Sequence, residues 1–176
     1  GHDRAALLEP PADTVVVDET ITAHPLVRRH LDFTQPQGYF RVFGGLGQGL
    51  CVALGVKLAA AGRPVVVVGG DGGFLYNPIV QALGAARTHD LPILAVIFNN
   101  GCYEAMRQGH VHHYPAGVSV GADLFHGVHI DGPDYSEFAR PFGFWGRRVD
   151  RLDALDAALP DALAALRAGK SAILNV

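Results

Sequence analysis

Apolar residues in this chain come in short unbroken runs, and each run stops abruptly at small or oxygen-bearing residues. Residues 65–68 are four valines, followed by Gly69-Gly70-Asp71-Gly72-Gly73. Residues 93–98 read Ile-Leu-Ala-Val-Ile-Phe and lead into Asn99-Asn100-Gly101-Cys102-Tyr103. A β-branched run without polar alternation suits a strand buried on both faces, the usual state in a parallel sheet covered by helices. Residues 14–17, ending at Asp18-Glu19-Thr20-Ile21-Thr22, and residues 39–43, ending at Gly44-Gly45-Leu46-Gly47, predict two further strands. Residues 144–149 and 172–176 predict the last two.

Between the runs the period changes to that of helices. Residues 50–61 are apolar nearly all round, which predicts a buried helix stopped by Gly62-Arg63-Pro64. Asn77-Pro78 reads as an N-cap followed by Pro at the first helical position, opening a helix that carries Ile79, Val80, Leu83 and Ala86 and ends before Leu91-Pro92. Residues 134–140 predict a short helix, and 152–167 an Ala-rich amphipathic one ended by Gly169. Residues 110–133 show no period and are rich in Gly, His and Pro, so they read as a loop that orders on assembly. Strands alternating with helices predict an α/β fold: a doubly wound parallel sheet between helix layers. One domain, 13–176, is expected, with residues 1–12 a linker or tag remnant.

Composition narrows the function classes. Hydrophobic residues make up 49% and charged residues 18% of the 176, enough apolar content for a core. A net charge of −3 leaves no basic footprint for nucleic acid. No apolar run reaches the length of a membrane span, and no signal peptide is visible. The two cysteines, Cys51 and Cys102, form neither a disulfide framework nor a zinc motif, which fits a reducing cytoplasm.

The strand ends carry the chemistry. In open α/β sheets ligands bind beyond the carboxyl ends of strands. The clusters after 65–68 and 93–98, joined by one helix, are expected side by side at that edge. Asp71 offers an anionic oxygen and Asn100 a neutral one; hard oxygens in small number suit Mg²⁺, which takes its remaining ligands from water and phosphate. The amides of residues 101–105 open a helix and suit phosphate oxygens. Taken singly, Asp-Gly and Asn-Gly are also ordinary turns.

Together, Gly70-Asp71-Gly72, a 26-residue spacer (73–98) and Asn99-Asn100 resemble the signature of thiamine diphosphate enzymes. Gly44-Gly45-Leu46-Gly47 resembles that family's pyrimidine-binding turn, and the likeness runs from about Asp13 to Val176. It points to the diphosphate-binding domain of the branch containing acetolactate synthase and benzoylformate decarboxylase. The resemblance implies thiamine diphosphate and Mg²⁺ as cofactors, with Asp71, Asn100 and the Cys102 carbonyl as metal ligands. It implies diphosphate contacts from Thr22, Gly70, Gly72, Gly73, Tyr103, Glu104 and Ala105, and a cofactor contact from Tyr76. The Gly44 carbonyl would accept from the pyrimidine amino group, and Leu46 would support the bend of the cofactor. The Cys102 thiol would not ligate, because thiolate is soft and Mg²⁺ hard.

Some positions depart from that pattern or stay open. Gly73 stands where the family often has a hydroxyl, so a backbone amide or water is expected there. Glu104 is awkward beside a diphosphate, and its side chain is expected to turn away. His24 lines the substrate pocket or is a surface histidine; Met106 faces the pocket or fills the core. Thr20 or Thr22 also suits a helix cap. The three glycines at 44, 45 and 47 mark a close approach, either of packed helices across a dimer or of backbone to cofactor. His110, His112 and His113 lack zinc spacing and fit a polar loop better than a metal site.

The resemblance implies a 2-oxo acid substrate, with decarboxylation and carboligation in the manner of acetolactate synthase; the alternatives are simple decarboxylation like benzoylformate decarboxylase, a non-catalytic module that kept the fold, or a flavodoxin-like phosphate binder. The glutamate that such enzymes place on the pyrimidine ring belongs to a separate pyrimidine-binding domain, and none of Glu9, Glu19, Glu104 and Glu137 matches it. The expected partner is therefore that domain, in the same longer chain or another subunit, within a homodimer or homotetramer. Residues 44–49 are the expected docking face, and the chain alone is expected to turn over no 2-oxo acid.

Overall fold

The computed structural model describes residues 12–33, 35–60 and 62–176; the reading of residues 1–12 as linker or tag lies outside them but for its last residue. Six strands form one parallel sheet in the order β2-β1-β3-β4-β6-β5. They are β1 (Val15–Glu19), β2 (Tyr39–Arg41), β3 (Val65–Gly70), β4 (Leu94–Phe98), β5 (Trp145–Arg148) and β6 (Ala172–Asn175). The helices are α1 (His24–His30), α2 (Gly49–Ala59), α3 (Asp71–Tyr76), α4 (Ile79–Thr88), α5 (Glu104–His113), α6 (Val118–Gly121) and α7 (Leu152–Arg167), with a 3-10 helix at Tyr135–Phe142. The expected doubly wound sheet between helix layers is what forms.

Alternation along the strands explains the two cores. Val65 and Val67 join Val15, Val17, Ala95 and Ile97 under α2, α4 and the 3-10 helix; Val66 and Val68 join Val16, Leu94 and Leu174 under α1 and α7. Register aligns Glu19 with Gly69, Gly69 with Ile97, and Ile97 with Asn175, so strand carboxyl ends share one edge. From β1 the chain turns outward to β2, then returns to β3 on the other side of β1. The switch point of the sheet therefore lies between β1 and β3, where crevices open in this architecture.

Several local expectations need correction. β1 runs on through Asp18 and Glu19, both buried, because donors meet both carboxylates. β2 is only three residues long. α2 ends at Ala59 and is not buried all round: Cys51 is exposed and Leu58 is 69% exposed. Asn77 is not an N-cap; α3 precedes it, it caps the carboxyl end of that helix in extended conformation, and Pro78 takes the cap position of α4. The helix expected to open at 101–105 forms as residues 104–113, with no buried residue to mark its length, so it and α6 occupy part of 110–133, which was expected to be a loop throughout. No described helix is long and apolar enough to cross a membrane.

Candidate functional site

A cleft of about 330 Å³ opens at the switch point. It is walled by Glu19 to Ala23 after β1, by Leu46, by Gly70 to Gly73 after β3, by Asn99, Asn100 and Cys102 to Met106 after β4, and by Val176 after β6. The two clusters expected side by side are indeed neighbours, since β3 pairs with β4.

Asp71 begins α3 and is 2% exposed. Burial pushes its carboxyl up, and the amides of Gly72, Gly101 and Cys102 only partly oppose that. Its Oδ2 has no hydrogen-bond partner among the described residues. A buried carboxylate oxygen without a donor is costly unless a cation meets it. Around it, Asn100 Oδ1 accepts from the Cys102 amide at 3.0 Å and Asn99 Oδ1 from the Gly101 amide at 3.2 Å, which folds residues 99–102 into a tight turn. Gly72 has no alternative: a Cβ there would lie 2.6 Å from the Tyr103 ring. Among the described residues no three His, Cys, Asp or Glu side chains converge on a metal position, so a cation here would have to be met by carboxylate, amide and carbonyl oxygens. That set matches a hard divalent ion.

At the start of α5 the amides of Glu104 and Ala105 have no acceptor among the described residues, as expected of a first helical turn. The Glu104 carboxylate turns back along the helix. It accepts from Arg107 Nε at 2.8 Å, Arg107 Nη2 at 2.9 Å and Gln108 Nε2 at 3.1 Å. Arg107 holds its pKa down to about 2, so the side chain is ionised and its charge is compensated. The Cys102 thiol, its pKa raised by burial and by Glu104, stays protonated and lies 3.6 Å from Glu104 Oε2. The Tyr103 amide bonds the Val128 carbonyl and the Ile130 amide bonds the Gly101 carbonyl, which ties residues 128–130 to this wall.

The other sequence-predicted positions divide. Thr22 and Met106 line the cleft and are exposed, Met106 by 67%. Leu46 is 38% exposed and faces the cleft. Gly44 lies on the exposed turn. Tyr76 stands outside the lining, with its ring centroid 6.5 Å from that of Tyr103. His24 also stands outside: its Nδ1 is 2.7 Å from Asp18 Oδ2. That contact belongs to a cluster the sequence did not announce. Asp18, fully buried, also accepts from Thr20 Oγ1 at 2.5 Å and Tyr39 Oη at 2.7 Å, with Arg41 3.2 Å away. Burial raises its pKa, but these hydrogen bonds outweigh it and hold the carboxyl below its ordinary value. The hydrogen bond between Glu19, placed only at the diphosphate end, and Asn77, read as an N-cap, was missed as well. The only signal for Glu19 was an acid where an apolar strand stops.

The family model for the C-terminal TPP binding domain of thiamine pyrophosphate enzymes matches residues 20–176. The chain belongs to the thiamine pyrophosphate enzymes. Among relatives of this thiamine pyrophosphate domain, benzoylformate decarboxylase of Pseudomonas aeruginosa is 32% identical over 158 residues, covering 89% of this chain and 28% of the relative. Acetolactate synthase isozyme 2 large subunit of Escherichia coli is 30% identical over 155 residues, covering 87% of this chain and 27% of the relative. The thiamine diphosphate-dependent 4-hydroxybenzoylformate decarboxylase of Rhodococcus jostii superposes with a TM-score of 0.82 at 27% identity, over 98% of this chain and 31% of that one. The chain thus spans under a third of these relatives' length.

Proposed function

We propose that this thiamine pyrophosphate domain supplies the diphosphate- and Mg²⁺-binding half of an enzyme that decarboxylates a 2-oxo acid. The observation that carries the metal assignment is the buried, unpartnered Oδ2 of Asp71 at the switch point of the sheet. Asp71, Asn100 and the Cys102 carbonyl are the proposed ligands. The free amides of Glu104 and Ala105, with Thr22, Gly70, Gly72, Gly73 and Tyr103 around them, are the proposed diphosphate cradle, an arrangement that suits an anion at a helix start. When bound, thiamine diphosphate supplies the carbanion chemistry. The residues of this chain anchor one end of it, compensate its charge, support its bend through Leu46 and contact its pyrimidine through the Gly44 carbonyl and its surroundings through Tyr76.

Relatives named for decarboxylation and for acetolactate synthesis both match at about the same identity. Decarboxylation of a 2-oxo acid is common to both readings, with transfer to a second carbonyl, as in acetolactate synthase, as the finer proposal and protonation as its alternative. Exposed Ile21 and Met106 on the cleft wall are the proposed contacts to the substrate. The partner is a pyrimidine-binding domain, docked on the apolar surface around residues 43–46 and the outer side of α2, where Phe43 is 87% and Leu58 69% exposed. A homodimeric or homotetrameric assembly in the cytoplasm completes the proposal. The test is carbon dioxide release from 2-oxo acids by the native full-length protein with Mg²⁺ and thiamine diphosphate, with and without an added carbonyl acceptor. No release from any 2-oxo acid tried would refute the reading.

A further inference from the structure

Glu19 sits on the cleft wall, 5% exposed, at the end of β1. Its Oε1 accepts from the backbone amide of Gln48 at 2.6 Å, and its Oε2 accepts from Asn77 Nδ2 at 3.0 Å. Asn77 is 7% exposed; its Nδ2 also donates to the Gly73 carbonyl at 3.0 Å, and its Oδ1 accepts from the Leu50 amide at 3.0 Å. Two side chains thus tie β1, the start of α2 and the body of α3 into one knot. The contact is close: a Cβ on Gly49 would come within 2.5 Å of Glu19 Oε2. The segment that the knot restrains is the turn before α2, and Leu46 projects from it into the cleft beside Gly73, where an added Cβ would lie 3.9 Å from Leu46 Cδ2.

We infer that Glu19 is a positioning residue which, through the Gln48 amide and Asn77, fixes the turn carrying Leu46 and so sets affinity for the ring portion of thiamine diphosphate rather than for its diphosphate. This rests on the cofactor reading given above. Hydrogen-bond polarity makes the claim specific. Asn77 cannot flip, because Oδ1 is needed by the Leu50 amide and Nδ2 by the Gly73 carbonyl. Both atoms facing Glu19 are donors, so position 19 must present two acceptors. Glutamine has the right size but only one acceptor oxygen. In Glu19→Gln either the Gln48 amide or the Asn77 amide faces a second donor, and in each case the turn loses one of its two restraints. Pairing that change with Asn77→Asp turns Asn77 Nδ2 into an acceptor facing the new Gln amide, which restores one bond at the expense of the Gly73 contact.

The experiment uses the native full-length protein and measures, by calorimetry with Mg²⁺ present, the dissociation constants of thiamine diphosphate and of inorganic pyrophosphate. Glu19→Gln should weaken thiamine diphosphate on the order of tenfold, the scale of one buried hydrogen bond lost, and leave pyrophosphate unchanged. Glu19→Gln with Asn77→Asp should recover part of the loss; this variant also decides the matter if the single one folds poorly. Equal weakening of both ligands would show a scaffold role only and overturn the inference, as would no effect on either. Failure of the wild-type protein to bind either ligand would instead overturn the cofactor reading itself, whatever Glu19 does.

Discussion

Replacing Asp71 with asparagine should stabilise the cofactor-free protein and abolish its response to Mg²⁺ and thiamine diphosphate, a pair of effects with opposite sign. Asp71 is buried and its Oδ2 has no partner, so the free protein carries an uncompensated negative charge at the strand end. Leaving a buried acceptor unmatched costs roughly 1–3 kcal/mol, and more when it is charged. Asparagine keeps the shape and one oxygen for the amides of Gly72, Gly101 and Cys102 but removes the charge. The expected gain is about 1–2 kcal/mol, read as a rise in Tm. In the wild type, cofactor at a hundred times its dissociation constant should add about 2.7 kcal/mol; in Asp71→Asn that increment should vanish. Thermal denaturation of the full-length protein, with EDTA and with Mg²⁺ plus thiamine diphosphate, reads both arms. A variant that is less stable when free, yet still stabilised by the cofactor, would refute the assignment of Asp71 to the metal.

Three more outcomes follow from the same geometry. Leu46→Ala should cost under about 1 kcal/mol of stability, because Leu46 is 38% exposed and outside both cores, while lowering turnover of the holoenzyme; a loss in urea denaturation of the size seen for core leucines, about 2–5 kcal/mol, would make it a packing residue. Arg107→Ala should weaken diphosphate binding roughly fivefold by leaving the Glu104 carboxylate uncompensated beside the phosphate site, and adding Glu104→Gln should restore it, both by calorimetric titration; no recovery would place the role of Arg107 elsewhere. Asp18→Ala should destabilise the domain by roughly 3–5 kcal/mol, the scale of a broken buried pair. Because the folded Asp18 carboxyl lies below 3.8, its contribution is present above that pH and lost as pH falls further, so acid denaturation of the variant should show a weaker pH dependence there.

Much of this fold is written in hydropathy. Unbroken valine runs can only be strands covered on both faces, and α7 spans the residues its amphipathic period marked. The approach of Asp71 to residues 99–102 was equally legible, because two adjacent parallel strands joined by a crossover must end at one edge. What escaped was carried by polar side chains that act as structure. Nothing in a string distinguishes an asparagine that caps the start of a helix from one that knots three elements, and Asn77 does the second. Asp18 and Glu19 lengthen β1 because donors from distant residues 39, 41, 48 and 77 meet them. The start of α5 was legible at residues 101–105, but not its run through His113: its stability does not come from a buried stripe, Gly109 and three histidines hide its period, and ion pairing of Glu104 with Arg107 supports its first turn.

The central claim is that this edge of the sheet holds a diphosphate through a divalent cation. Titration of thiamine diphosphate into the native full-length protein, once with Mg²⁺ and once with EDTA, tests it directly. Tight binding only with Mg²⁺, with FMN and NAD producing no heat, is the predicted result. Binding of equal strength in EDTA, or none under either condition, would contradict it.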